Sequence, residues 1–393
     1  MDSKTQNQFG HRAGRYMQQP QGYRAFIPAS LPSEPPIAVD DELLILLLEA
    51  QAAVARLDGA MRAIPNPEHF MSMYIRREAV LSSRIEGTQS TIGDLLAAEA
   101  QLNAPPQPAD VYEVANYVRA MRYGLERLET LPVSVRLIRE IHALLLDGVR
   151  GSHLTPGELR RSQNWIGRPG STLATATFVP PPAHAVPDHL ADLEQFLHSH
   201  DNLPLLLRIG MAHVQFEMIH PFLDGNGRVG RLLITLMLSE RGELIQPVLY
   251  LSEFFERNRD DYYRGLRAVQ DDGDWEGWLR YFLRGVTEVA HHSLGTAASV
   301  LRLREADRNR IVHAFHQGSG NALKVLEALY QTPIRSVADV QEITGLTIAP
   351  ANRLVARLVE MGILVEITGQ RRNRYFRYDA YVRLFDEESR PLG

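Results

Sequence analysis

Residues 219–233 read IHPFLDGNGRVGRLL, and the reading of this stretch decides the fold. Gly225, Gly227 and Gly230 have the spacing G-x-G-x-x-G of a dinucleotide-binding turn, which requires a strand before it and a βαβ unit around it. The preceding residues, 208-RIGMAHVQFEMI-219, instead carry Ile209, Ala212, Phe216 and Ile219 at helical spacing, so the dinucleotide reading is rejected. Neither G-x-x-x-x-G-K-[ST] nor H-E-x-x-H occurs. What remains is a helix, a glycine-rich turn and a second helix. Glycines in such a turn let backbone N–H groups approach a ligand at a helix start, where anions bind. Arg228 and Arg231 follow at once, where positive charge gains nothing from the helix dipole, so an external anion such as a phosphate chain is their expected partner. Asp224 is a carboxylate able to hold a magnesium ion that bridges phosphate oxygens. His220 lacks Cys or Glu-x-x-His companions and is better placed as a general base than as a metal ligand.

The 393-residue chain is 45% hydrophobic, enough to bury a sizeable core over two or three domains. Its net charge of -5 argues against a protein built mainly to coat nucleic acid or an anionic membrane. With no cysteine, disulfides, thiolate nucleophiles and Cys-bound zinc are excluded. The first residues lack the apolar segment of a secretory signal, and the aliphatic run 43-LLILLL-48 is too short to span a bilayer. A cytoplasmic protein with no membrane partner is expected.

Residues 1–36 are polar and proline-rich, without a period that would bury a face, and are read as an extended arm. Helical periodicity governs residues 37–131 and returns after Pro132, where SVRLIREIHALLLDG is followed by further helices to about residue 301. Residues 165–182, WIGRPGSTLATATFVPPP, break this pattern with β-branched and aromatic residues around a Gly/Pro turn, a hairpin signal. A charged linker helix is expected over 302–320. From 321 to 393 the pattern reads helix, helix, turn, helix and a two-stranded ribbon, the layout of a winged helix-turn-helix. Arg353 and Arg357 fall on its recognition helix, and Arg371, Arg372, Arg374 and Arg377 in its wing. Arg371, Arg372 and Arg374 are the candidate DNA contacts. Ten basic against nine acidic residues over 321–393 make only a faint electrostatic footprint for DNA.

HPFLDGNGRVGR resembles the Fic family signature H-x-F-x-[DE]-G-N-G-R-x-x-R at every specified position: His220, Phe222, Asp224, Gly225, Asn226, Gly227, Arg228 and Arg231. The resemblance implies a mainly α fold, a Fic-type helical core with a β-hairpin flap, and transfer of AMP from ATP to a Tyr, Thr or Ser hydroxyl of a protein. His220 would deprotonate the acceptor, Phe222 anchor the loop and Asp224 hold Mg2+. The implied ATP site comprises Gly225, Asn226, Gly227, Arg228, Val229, Gly230 and Arg231 with His220 and Glu86, and Asn258 and Tyr263 would close over the nucleoside. The hairpin resembles the family's flap, with Thr177, Phe178 and Val179 as the segment that docks the target by backbone pairing. The stretch 82-SSRIEG-87 fits the inhibitory motif [ST]-x-x-x-E-[GN] through Ser82, Glu86 and Gly87. Glu86 would then pair with Arg231 and keep it from the γ-phosphate. The same carboxylate is also placed to orient water for removal of AMP. Self-modification and a homodimer accompany this reading. The alternative is a transcription regulator whose Fic-like core senses nucleotide; the complete catalytic set favours the enzyme.

Overall fold

The computed structural model describes residues 12–386 except 63, 65, 66, 103–107, 109, 169, 201, 243, 245 and 246. Its centre is the helix Leu205–Ile219, buried from Leu206 onward. A helix buried on all sides, mostly by apolar residues, belongs in the middle of a core, and this one packs beside Asn226–Glu240, which is nearly as buried. The glycine-rich loop connects the two. Val111–Arg127 and Val135–Leu145 pack on Asn226–Glu240, while Val186–His198, Arg259–Asp272 and Trp275–Phe315 pack on Leu205–Ile219. Ser134 caps Val135–Leu145 by accepting from the Leu137 N–H.

Helix Asp41–Arg62 begins with Asp41 and Glu42 and ends with Arg62, complementing its dipole at both ends. Leu43, Leu47, Ala50, Val54 and Leu57 form its buried face, laid along Trp275–Phe315. The latter is one continuous 41-residue helix, so the linker expected to begin at residue 302 starts as the last third of a rod that begins in the helical core. Helix Pro67–Ile85 packs against Val111–Arg127, Ser252–Arg257 and the C-terminal helix Ser319–Gln331. No helix among the described residues is long and apolar enough to cross a membrane.

The segment read as an extended arm departs from that expectation. Gly14–Gln18 and Arg24–Pro28 pair as an antiparallel hairpin, with Ala25 and Phe26 fully buried. Arg12 makes a bidentate contact with Glu276 at 2.7 and 2.8 Å, and the Gln215 side chain donates to the Ala29 carbonyl. Neither five-residue strand alternates between buried and exposed positions, so no strand period stands out from the surrounding polar and proline-rich composition. The flap shows the opposite difference. Its two arms meet through a single antiparallel bridge, Ile166 to Phe178, rather than a regular ladder.

The C-terminal module matches its expected layout closely. Val337–Thr344 starts with a reciprocal Ser336/Asp339 capping box and ends at left-handed Gly345, and Ile348–Glu360 follows after a short turn. Three short strands are ordered Ile334–Ser336, Tyr375–Arg377, Val365–Glu366, all antiparallel, one more than the sequence suggested. Tyr330, Tyr378 and Tyr381 cluster beneath, and the Tyr378 hydroxyl donates to Asp307 on the long helix at 2.6 Å.

If the N-terminal hairpin belongs to the core, Phe26→Ala should cost about 3 to 5 kcal/mol in chemical denaturation, the usual loss for a buried phenylalanine. A surface arm would show almost none.

Candidate active site

The loop between the two central helices is fixed almost entirely through its backbone. Leu205–Ile219 ends at His220, whose φ of 48° and ψ of 61° are left-handed, a conformation uncommon for a non-glycine residue and frequent at functional sites. Arg160 holds this turn. Its Nε donates to the His220 carbonyl at 2.8 Å, its guanidinium also reaches the Pro181 carbonyl at 2.5 Å, and its own N–H donates to Pro221. Asn226 staples the other side: its Oδ1 accepts from the Phe222 N–H and its Nδ2 donates to the Phe222 carbonyl, each at 2.8 Å. Phe222 is fully buried and stacks on His142, ring centroids 3.7 Å apart and 5° from parallel. His142 accepts from the Gly157 N–H at Nδ1 and donates from Nε2 to the Asp224 carbonyl, so its tautomer is set. Burial pushes His142 down to about 4, which keeps it neutral. Gly225, with φ of 78°, then caps Asn226–Glu240.

His220 is also neutral at physiological pH, because burial and then the nearby Arg160 charge push it down to about 4. Asp224 is about 33% exposed, with Oδ1 accepting from the Gly225 N–H at 2.6 Å. A β-carbon at Gly151 would stand 2.7 Å from Asp224 Oδ2, so glycine there leaves room for the carboxylate.

Both arginines of the motif are buried, and each pairs with a carboxylate from outside the loop. Arg231 donates through NH2 to Glu86 Oε1 at 2.7 Å, and through Nε and NH2 to the Ser82 hydroxyl and carbonyl at 2.9 Å. Burial opposes the charge on Glu86, but Arg231 outweighs it and the carboxyl is held below its ordinary range. A β-carbon at Gly227 would lie 2.3 Å from Glu86 Oε1, so the glycine turn and the Glu86 carboxylate are in direct contact. Glu78 and Glu217 also lie near Arg231, and burial pushes both up to about 7. One guanidinium balances one of the three carboxyls, and geometry gives it to Glu86. Arg228 donates to Glu113 Oε2 at 3.0 Å.

Other expected residues divide. Tyr263 is exposed, at 41%, and close enough to Glu86 and Arg231 to feel their charges. Tyr262 belongs to the core, its hydroxyl bonded to His213 Nε2 at 2.9 Å. Asn258 sits between Ser252–Arg257 and Arg259–Asp272 with its amide donating to the Phe254 carbonyl. Val229 and Gly230 are buried, with the Gly230 carbonyl bonded to His213. Asn226 uses its whole amide on Phe222, which makes it a strut of the loop. In the flap, Thr177 is exposed, but the Phe178 and Val179 side chains are buried. The N–H groups of Thr177 and Phe178 both point to the Ile166 carbonyl, and the Val179 carbonyl accepts from Phe26. Within the segment 177–179 named for docking, the Thr177 and Phe178 N–H groups and the Phe178 and Val179 carbonyls are thus engaged inside the protein, and the exposed large apolar residues of the flap are Trp165 and Ile166. In the C-terminal module Arg371 and Arg372 are exposed, Arg374 reaches Asn352 and covers the Phe376 ring, and Arg357 turns to the Ala314 carbonyl and the Phe315 ring.

Sequence reading missed His142, Arg160 and Glu113, and also Asn164, whose Nδ2 donates to the Phe222 carbonyl at 2.8 Å. Each lies outside the motif and acts on its backbone or its arginines. A buried charged residue in an otherwise ordinary segment, such as Arg160 in GELRRSQ, carries no mark in one sequence.

A profile of the Fic/DOC family N-terminal region matches residues 44–126, one of the Fic/DOC family matches 132–238, and one for winged helix-turn-helix DNA-binding domains matches 319–365. A probable protein adenylyltransferase of Aquifex aeolicus is 30% identical over 210 residues, covering 52% of this chain and 58% of that protein. The protein adenylyltransferase fic-1 of Caenorhabditis briggsae is 26% identical over 295 residues, 73% of this chain and 50% of that one. The match thus spans about half the length of these curated relatives. The crystal structure of a Fic family protein from Desulfovibrio desulfuricans has the same fold, with a TM-score of 0.56 at 22% identity over 87% of this chain and 97% of that one. The chain thus carries regions that match the Fic/DOC family N-terminal and Fic/DOC domains, with a winged helix-turn-helix match behind them.

Proposed function

We propose that this chain is a protein adenylyltransferase, held in check by Glu86. The observation that supports it is one rigid loop carrying a neutral imidazole, an accessible carboxylate and a glycine-rich helix start, in a chain whose similar proteins are named protein adenylyltransferases. The acceptor hydroxyl attacks the α-phosphorus of ATP and the bond to the β-phosphate bridging oxygen breaks, releasing pyrophosphate. The hydroxyl proton passes to His220, whose neutral ring is free to take it. Gly225, Gly227 and the start of Asn226–Glu240 receive the phosphates. Among the described residues no group of three His, Cys, Asp or Glu could form a closed metal site. A lone accessible Asp224 fits a magnesium ion that arrives with ATP, since that ion takes one or two carboxylates together with phosphates and water. Such an ion would supply charge neutralisation across the phosphates.

Glu86 occupies the Arg231 guanidinium, so ATP must displace it or bind with its γ-phosphate elsewhere and its α-phosphorus out of line. The same carboxylate, beside the phosphate site, is placed to orient water against an AMP–protein bond. Glu86→Gly should therefore raise transfer from α-labelled ATP roughly 5- to 150-fold, the range of coupling energies between sites, and lose release of AMP from a modified target. Unchanged transfer would remove the brake from this scheme; unchanged release would remove only the hydrolytic role.

His220→Ala should lower transfer about 10²- to 10⁴-fold while nucleotide still binds. For a base with a pKa near 4, the acid limb of kcat/KM falls only as pH approaches 4, with the plateau intact at 6. An inflection near the ordinary imidazole value of 6.5 would contradict the assigned base.

A second function, binding of duplex DNA, is proposed for the C-terminal module, supported by its profile match and the exposed Arg353, Arg371 and Arg372. Replacing Arg371 and Arg372 by Ala should flatten log K against log salt by about one unit per lost phosphate contact. An absence of binding at low salt would leave the module a packing element.

A further inference from the structure

The family resemblance gives Arg228 a phosphate as its partner, yet its side chain is 1% exposed and already committed. NH1 donates to Glu113 Oε2 at 3.0 Å, NH2 stands 3.6 Å from Asp224 Oδ1, and Nε is buried with no hydrogen-bond partner among the described residues. Glu113 comes from helix Val111–Arg127, outside the helix-loop-helix that bears the motif, and its side chain is 7% exposed. Arg150 reaches the same carboxylate at 3.3 Å, and the next residue, Gly151, is the one that leaves room for Asp224 Oδ2. Glu113 therefore touches the cation facing Asp224 and the start of the turn behind it.

We propose that Glu113 is a positioning residue for Asp224: by holding Arg228 it keeps that guanidinium off the Asp224 carboxylate, which stays open for a divalent cation carried by nucleotide. A buried guanidinium between two carboxylates bonds the nearer one, here Glu113 by 3.0 against 3.6 Å. Without the Glu113 charge, Arg228 remains buried and must find another counter-ion. Asp224, one helical turn earlier, is the carboxylate in reach, and an arginine that pairs with it occupies the oxygens a cation needs. This inference rests on the nucleotide-binding reading above, and assigns Arg228 to the protein rather than to the phosphates.

The test reads binding of a fluorescent ATP analogue against magnesium concentration, in full-length Glu86→Gly chain so that Arg231 is free. Adding Glu113→Gln should raise the magnesium needed for half-maximal binding about tenfold, within the coupling range of contacting charges, and leave magnesium-free binding within about twofold. In an Arg228→Gln background the same Glu113→Gln should have no effect, because the group it restrains is gone. Thermal melts followed by circular dichroism establish that each variant is folded. Should Glu113→Gln not fold, Glu113→Asp asks the same question: the shortened carboxylate stands back from Arg228, which keeps its charge and turns to Asp224, so the magnesium requirement should again rise. An unchanged requirement in a folded variant, or an equal shift with and without Arg228, would overturn the inference alone. No nucleotide bound at any magnesium concentration by the Glu86→Gly chain would overturn the adenylyltransferase reading and this inference with it.

Discussion

Two guanidiniums buried near the start of one helix are the constraint around which the helical core is assembled. Arg228 and Arg231 have side chains at most 2% exposed, and a charge so far from water must be paired. The loop they follow supplies only Asp224, so the counter-charges come from elsewhere: Glu86 at the end of Pro67–Ile85 and Glu113 on Val111–Arg127. Both partners lie in the N-terminal helical region. That region therefore completes the electrostatics of the loop, and its two contacts fall on neighbouring arginines three residues apart.

The two contacts differ in their surroundings. Glu113 is almost wholly enclosed, whereas the Glu86 side chain is about a third exposed and lies against Gly227. An enclosed pair is costly to separate, about 3 to 5 kcal/mol when one partner is lost. A pair open to solvent along one edge can be exchanged for another anion entering from that edge. The same turn thus has one fixed strut and one replaceable partner.

Around these charges the loop backbone is held by Arg160, Asn164, Asn226 and His142, each spending side-chain hydrogen bonds on main-chain groups. Such bonds fix where His220 and Asp224 project without adding groups to the site, which is how a reacting geometry is kept within a fraction of an ångström. The winged helix-turn-helix joins this frame through the helix that ends just before Glu86. Tyr74 meets Phe385 edge-on at 5.0 Å, and Arg76 donates to the Gln331 carbonyl at 3.3 Å.

By itself the sequence determined the helical class, the winged helix and the loop chemistry, because these rest on local signals: periodicity over 208–219, the Ser336/Asp339 cap, and the motif from His220 to Arg231. The Glu86 partner was legible as well, through the family resemblance, whose inhibitory motif SSRIEG fits. The tertiary structure decided the rest. It buried Phe26 and turned the N-terminal segment into a hairpin whose backbone occupies Val179, because two five-residue strands without alternating burial carry no local period. It turned Asn226 inward, continued the long helix through residue 302, and gave Arg228 to Glu113 across 115 residues of chain. Pairing of a buried charge depends on which carboxylate lies within about 3 Å after folding, and sequence distance carries no information about that.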